Sequence, residues 1–132
     1  MFWRNMNNEY SLLDVRAVWI DSYRKGLLDW LSYLESPFFF VRRGDKVMSR
    51  REQLAVMERS RSASLFGLAG DLDFNESIEE IRDFSGWSTV FGSATFSRKG
   101  EVVGKYRFFE LWLISEGRWQ IASLCYDDIP LG

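Results

Sequence analysis

The stretch from Ser88 to Asp127 constrains this chain more than any other part of it. Ser88 to Phe96, Val102 to Ile114 and Trp119 to Asp127 are rich in aromatic and β-branched residues, and turn signals separate them at Arg98-Lys99-Gly100 and Glu116-Gly117. Turns this short can only fold the chain back on itself, so the spacing predicts a three-stranded antiparallel meander. An antiparallel sheet of this kind buries one face, and something upstream must cover it.

The cover is readable in residues 9 to 35. Leu12, Trp19, Ile20, Tyr23, Leu27, Trp30, Leu31 and Leu34 recur there at three- and four-residue intervals, the period of an amphipathic helix. Lys25-Gly26 divides the stretch into two helices, because Gly costs about 1 kcal/mol inside a helix and commonly ends one. Asp29 then stands in a new first turn, where the helix dipole favours an acid, and Pro37 forbids continuation. Phe38 to Val41 reads as a short strand that turns at Arg43-Gly44-Asp45 into Lys46-Val47-Met48. Ser49-Arg50-Arg51-Glu52 is a capping box that opens a third helix running to about Ser60. Ser62 to Asn75 reads as an irregular connection. Glu76 to Phe84 suits helix or strand by its own pattern.

No internal repeat or low-complexity segment breaks this order, and 132 residues make one α+β domain with a core from about residue 9 to residue 128. With 46% hydrophobic and 17% aromatic residues, the chain has ample apolar surface to bury against its own entropy. Its 17 basic and 19 acidic residues are interspersed and give a net charge of −2, which supplies no field for nucleic acid. Cys125 is the only cysteine and there is no histidine, so an intrachain disulfide and thiolate or His-rich metal sites are excluded. A reducing, cytoplasmic setting fits, and no cofactor is expected. Met1 to Met6 lacks the pattern of a signal peptide, and no apolar run reaches the ~18 residues of a membrane span.

The order of helices, hairpin, helix and meander resembles the nuclear transport factor 2-like superfamily, and within it the SnoaL-like and ketosteroid isomerase-like proteins. The resemblance covers roughly residues 11 to 128. It is carried by Ile20 to Leu34 ending before Pro37-Phe38-Phe39-Phe40, by Ser49-Arg50-Arg51-Glu52, and by Ile78-Glu79-Glu80-Ile81 followed by Ser85-Gly86-Trp87. Gly104-Lys105-Tyr106-Arg107 leading to Glu116-Gly117-Arg118-Trp119-Gln120-Ile121 is its most distinctive part. The resemblance implies a cone: three N-terminal helices packed on a strongly bent antiparallel sheet, with Glu76 to Phe84 a strand. It implies no single activity, since the fold hosts isomerases, dehydratases, cyclases, epoxide hydrolases and non-enzymatic binding or assembly domains. Many relatives carry a His or an acid after the W-x-I of the last strand, whereas Trp119-Gln120-Ile121 here leads to Ser123, Leu124 and Cys125. Where ketosteroid isomerases carry a Tyr and an Asp, this chain has Trp19 and about Arg43.

Candidate site residues follow from the interior faces. Arg16 lies within the apolar stripe of the first helix, four residues from Leu12 and Ile20, and must point inward with a partner. A two-residue turn at Glu116-Gly117 places Glu110 opposite Ser123, on the face that carries Phe108, Trp112, Trp119 and Ile121. Two readings stay open. Arg16 and Glu110 form a satisfied internal ion pair, or Glu110 acts as a pocket acid or base with Arg16 stabilising an oxyanion and Tyr23 donating to a ligand carbonyl. The function favoured by the sequence is binding of a small, mostly apolar ligand in the cone. Arg16, Trp19, Tyr23, Phe40, Phe108, Glu110, Trp112, Trp119, Ile121 and Ser123 would line that cavity. A lyase, isomerase or cyclase using Glu110, Arg16 and Tyr23 is one alternative, and a non-catalytic dimeric assembly module is the other. Tyr106 to Ile114 is apolar on both faces, so a homodimer through the outer sheet face is expected, centred on Phe109, Leu111 and Leu113.

Overall fold

The computed structural model describes residues 11–59 and 72–131. Expectations for Met1 to Met6 and for residues 62–71 lie outside the described residues. Helix α1 (Leu12–Lys25) opens on Ser11, whose hydroxyl accepts the Asp14 N–H at 3.2 Å. It closes at Gly26, where φ of 68° is a left-handed conformation that a Cβ would strain. Helix α2 (Leu28–Leu34) follows, then strands β1 (Glu35–Arg43) and β2 (Lys46–Ser49). The capping box at the start of α3 (Arg50–Arg59) forms as expected. Ser49 Oγ accepts the Glu52 N–H at 3.1 Å, and the Glu52 carboxylate accepts the Ser49 N–H at 3.0 Å.

The remaining chain is sheet: β3 (Asp73–Phe84), β4 (Trp87–Arg98), β5 (Glu101–Ser115) and β6 (Arg118–Asp128). Asp73, Phe74 and Asn75 therefore belong to a strand rather than to the irregular connection assigned to them, because they continue the pairing with Ser97, Phe96 and Thr95. Lys99-Gly100 and Glu116-Gly117 are tight turns with both residues at positive φ, 51° and 83° in the first and 53° and 79° in the second. That twist matches the flanking strands, which is why such turns join hairpins.

The six strands lie in the order β2-β1-β6-β5-β4-β3, and every pairing is antiparallel except β1 with β6, which is parallel. The fold is thus α+β, with three helices and one open, mixed sheet among the described residues. Register shifts interrupt the ladders near Ile78/Glu80, Phe96/Ser97 and Leu111/Trp112, and such irregularities bend strands. At Gly92 the fit is closest: a Cβ there would collide with the Ser77 carbonyl oxygen and lie 3.0 Å from Ile78 Cα.

The shift at Leu111/Trp112 corrects one expected contact. Trp112 pairs with Ile121, but Leu111 pairs with Ser123 and Glu110 with Leu124, so Ala122 is the extra residue of a bulge. Ser123 therefore leaves the row of Glu110, and Leu124 takes its place. Phe40 is the second correction. It is 39% exposed, while its neighbours Phe39 and Val41 are buried, because alternation along β1 turns Phe40 to the other face.

The helix-covered face is fully apolar apart from a few polar groups. Val90, Ala94 and Phe96 of β4, Tyr106, Phe108 and Trp112 of β5, and Trp119, Ile121 and Leu124 of β6 are buried with Trp19, Leu31 and Met57 of the helices. Trp19 sits at the centre. Its ring meets Tyr23, Phe39 and Trp112 edge-on at centroid distances of 5.4, 6.4 and 5.8 Å. At the open end of the parallel pair, Arg42 and Arg43 reach Asp127 and Asp128 at 3.4 and 2.9 Å. No helix among the described residues is long and apolar enough to cross a membrane.

Candidate functional site

Two polar centres flank Trp19 inside the cone, and the first is built on Arg16. Its guanidinium donates from Nε to Glu110 Oε1 at 2.7 Å and from Nη2 to Glu110 Oε2 at 2.8 Å. It also donates from Nη1 and Nη2 to the two oxygens of Glu76, at 2.6 and 2.9 Å. The planar fork of Arg suits two such bidentate contacts. The Phe108 ring lies 5.1 Å from the guanidinium carbon, and the Trp112 Nε1–H donates to Glu110 Oε1 at 2.9 Å. Burial alone would lower the Arg16 pKa, but the hydrogen bonds and charges of Glu76 and Glu110 outweigh it and hold the cation above its ordinary range. Burial pushes Glu110 up, against the downward pull of Arg16 and Trp112. The two directions are compatible, because one cation faces two acids: Arg16 gains from both, while each acid shares a single partner.

The second centre was not anticipated. Glu35 ends α2 and begins β1, and it is wholly buried. Its carboxyl accepts from Trp19 Nε1 at 3.2 Å and from Gln53 Nε2 of α3 at 2.7 Å. Both donors are neutral. Burial raises Glu35 from 4.5 to about 7, and the hydrogen bonds of Trp19 and Gln53 and the charge of Arg50 only partly oppose it. Tyr23 is buried beside this centre, and burial together with the Glu35 charge pushes its hydroxyl well above the ordinary phenol range.

Two clefts reach the surface near these centres. One, of about 910 Å³, lies between α1, α2 and the start of β6, with Leu34 and Trp119 buried and Val15, Val18, Trp30 and Tyr33 also lining it. Asp14, Asp29 and Arg118 add charge, and the Arg118 guanidinium stacks 4.2 Å from the Tyr33 ring centre. The other, of about 400 Å³, lies between α1 and β3 and includes both Arg16 and Glu76. No group of three His, Cys, Asp or Glu side chains able to hold a metal occurs among the described residues.

The structure brings Arg16, Glu110, Phe108, Trp112, Trp19 and Tyr23 together in one packed interior, where Ile121 joins them. Of these, only Arg16 lines either cleft, together with Trp119 in the larger one. Phe40 and Ser123 stand apart from the group for the reasons given above. Sequence reasoning missed Glu76, Glu35 and Gln53. Phe74, Glu76 and Ile78 at period two would have placed Glu76 beside its apolar neighbours on one strand face. Glu35 lies four residues past Leu31, on the buried stripe of α2, and Gln53 lies four before the buried Met57.

No family model and no curated protein matches this sequence. Solved structures do. An NTF-2 like protein of unknown function from Shewanella oneidensis is 18% identical with a TM-score of 0.67, over 89% of this chain and 96% of that one. A ketosteroid isomerase-like protein from Erwinia carotovora atroseptica is 17% identical with a TM-score of 0.65, over 90% and 94%. A protein of unknown function with a cystatin-like fold from Nostoc punctiforme reaches a TM-score of 0.70 at 11% identity, over 91% and 90%. Likeness at these identities is a likeness of backbone, spread over nearly the whole of each chain. What this chain shares with them is the nuclear transport factor 2-like fold.

Proposed function

We propose that this domain binds a small, mostly apolar molecule in the cleft between α1, α2 and the start of β6. The cleft itself is the observation that carries the reading: its volume of about 910 Å³ falls in the ~300–1,000 Å³ range of small-molecule sites. Its aromatic and aliphatic walls suit a hydrocarbon body, and Asp14, Asp29 and Arg118 offer polar contacts to orient it. Binding is preferred to catalysis because Glu110, the nominated acid or base, is 1% exposed and both its oxygens are already bonded. Arg16 and Tyr23, the rest of that set, are buried with it.

A thermal-shift and tryptophan-fluorescence titration over hydroxylated aromatic and terpenoid compounds tests the reading. A ligand at 100 times its Kd should stabilise the fold by ~2.7 kcal/mol. Val18→Glu, at a half-exposed wall position, should abolish that stabilisation without unfolding the domain. If no compound shifts the melting temperature, or if Val18→Glu responds as the parent does, the cleft is not a binding site.

One further observation supports a homodimer through the outer sheet face. Phe109 is 44% exposed there, with Phe91, Leu111 and Leu113 half-buried around it and Phe84 stacked on Trp87 at 4.0 Å. A patch of this kind favours a self-complementary contact. Light scattering at micromolar concentration should give twice the monomer mass, and Phe109→Arg should halve it. The single free thiol, Cys125, suits a reducing cytoplasmic setting.

A further inference from the structure

We propose that Arg16 is a receptor for small carboxylic acids, and that Glu76 occupies the receptor as an internal competitor. The two carboxylates on the guanidinium are not equivalent. Glu110 comes from β5 in the middle of the sheet, is sealed from solvent, and is held a third time by Trp112. Glu76 comes from the edge strand β3, has 24% of its side chain exposed, and has Arg16 as its one hydrogen-bond partner among the described residues. It bonds the guanidinium at Nη1 and Nη2, and both Glu76 and Arg16 line the 400 Å³ cleft between α1 and β3.

The exchange keeps two carboxylates on the guanidinium. An incoming carboxylate replaces one bidentate pair with another of the same geometry, and Glu76 turns into water at little desolvation cost because it is already part-exposed. Arg16 never stands uncompensated in the process, since Glu110 stays in place. Leu13, Ala17, Ile20, Phe74 and Ile78 line the cleft and suit a short acyl chain or a single ring. Asp21 and Arg24 are the other charged groups lining it, and Arg24 is already engaged by the Leu72 carbonyl at 3.0 Å and the Phe74 ring at 5.4 Å. Arg16 is thus the cation that a ligand carboxylate would meet in this cleft. An internal carboxylate competes at high effective concentration, so the parent chain should bind such acids weakly and Glu76 should set that weakness.

The test compares hexanoate with hexanamide by calorimetry on the parent, Glu76→Gln and Asp21→Asn. The Asp21→Asn variant removes the same charge from the same cleft without removing the competitor. Glu76→Gln should bind hexanoate at least tenfold more tightly than either of the others, with no gain for hexanamide. Glu76→Asp, whose side chain is one methylene shorter, should fall between parent and Glu76→Gln and keeps the test open if the amide variant does not fold. Equal affinities in all variants, a gain shared by Asp21→Asn, or a gain shared by hexanamide would each overturn the proposal.

Discussion

Arg16 and Glu35 lie on either side of Trp19, both buried and both ionisable, yet the fold holds them in opposite ways. Arg16 has two carboxylates in bidentate contact, and its charge is compensated twice over. Glu35 has two neutral donors, and its nearest influential cation, Arg50, acts on it only through space. The Arg16 guanidinium stays charged at every ordinary pH. The Glu35 carboxyl sits near its own titration point at neutrality. Burial alone thus does not decide what an interior charge does, since the chemistry of its partners decides whether it remains a charge.

The largest effect that could break this comparison is the loss of Arg16. Arg16→Met should cost about 3–5 kcal/mol in urea unfolding, because it strands Glu110 without a cation in the interior. Arg16→Met with Glu110→Leu should recover most of that loss, since the remaining Glu76 can turn to water. If the double variant is as unstable as the single, Glu76 is fixed in place and the two carboxylates are equivalent after all.

Glu35→Gln sharpens the contrast by a somewhat smaller amount. The folded carboxyl is raised from 4.5 to about 7, so its contribution to stability is full below pH 4.5 and is lost as pH rises through 7. Each tenfold change in proton affinity is worth about 1.4 kcal/mol, so the loss is on the order of 3 kcal/mol. Glu35→Gln should therefore flatten the stability profile between pH 5 and pH 8 and exceed the parent's stability at pH 8. A parent profile already flat over that range would show a carboxyl that titrates as it does in water.

Gln53→Leu should cross over with pH. Gln53 Oε1 is buried with no partner among the described residues, so the change relieves one unsatisfied atom while removing a donor from Glu35. At pH 5 it should be nearly neutral, and at pH 8 it should cost about 1–2 kcal/mol, because the ionised carboxylate loses a hydrogen bond. The smallest effect expected is that of Ser49→Ala, which removes the cap of the helix that carries Gln53 and should cost ~1 kcal/mol at either pH. A strong pH dependence in that variant would tie the whole of α3 to the state of Glu35.

Most of the fold was legible because it rests on period. The two helices between Leu12 and Leu34, the capping box at Ser49 and the two Gly-bearing turns each have a local cause and formed where the pattern put them, although Leu27 and Trp30 of the stripe are exposed. Arg16 and Glu110 were legible for the same reason, since both stand where an apolar residue was due. The bulge at Ala122 was not, because nothing in Gln120-Ile121-Ala122-Ser123 marks one residue as extra, and a single insertion moved Ser123 off its row. Glu35 was hidden by its position at a junction. Its spacing of four from Leu31 continues the buried stripe, but α2 ends at Leu34 and the strand pattern starts at Phe38, so the stripe has to be carried past the helix end to reach it. Its partner Gln53 comes from a separate helix, and no spacing in the chain announces that meeting.

The parallel pairing of β1 with β6 bears on how this chain comes to be folded at all. Val41 meets Leu124 and Arg42 meets Cys125, so the first strand to be made waits for the last before its inner edge is satisfied. Loop closure over so long a separation is slow, and contacts of this kind lower folding rates. During synthesis α1, α2 and the β1–β2 hairpin emerge with no sheet to lie on, and an open strand edge is a hazard for as long as it stays open. A chain stopped at Ser115 would keep its meander start and its helices but lose the strand that joins them. The pairing of β1 with β6 therefore ties the two halves of the sheet together only once β6 has been made.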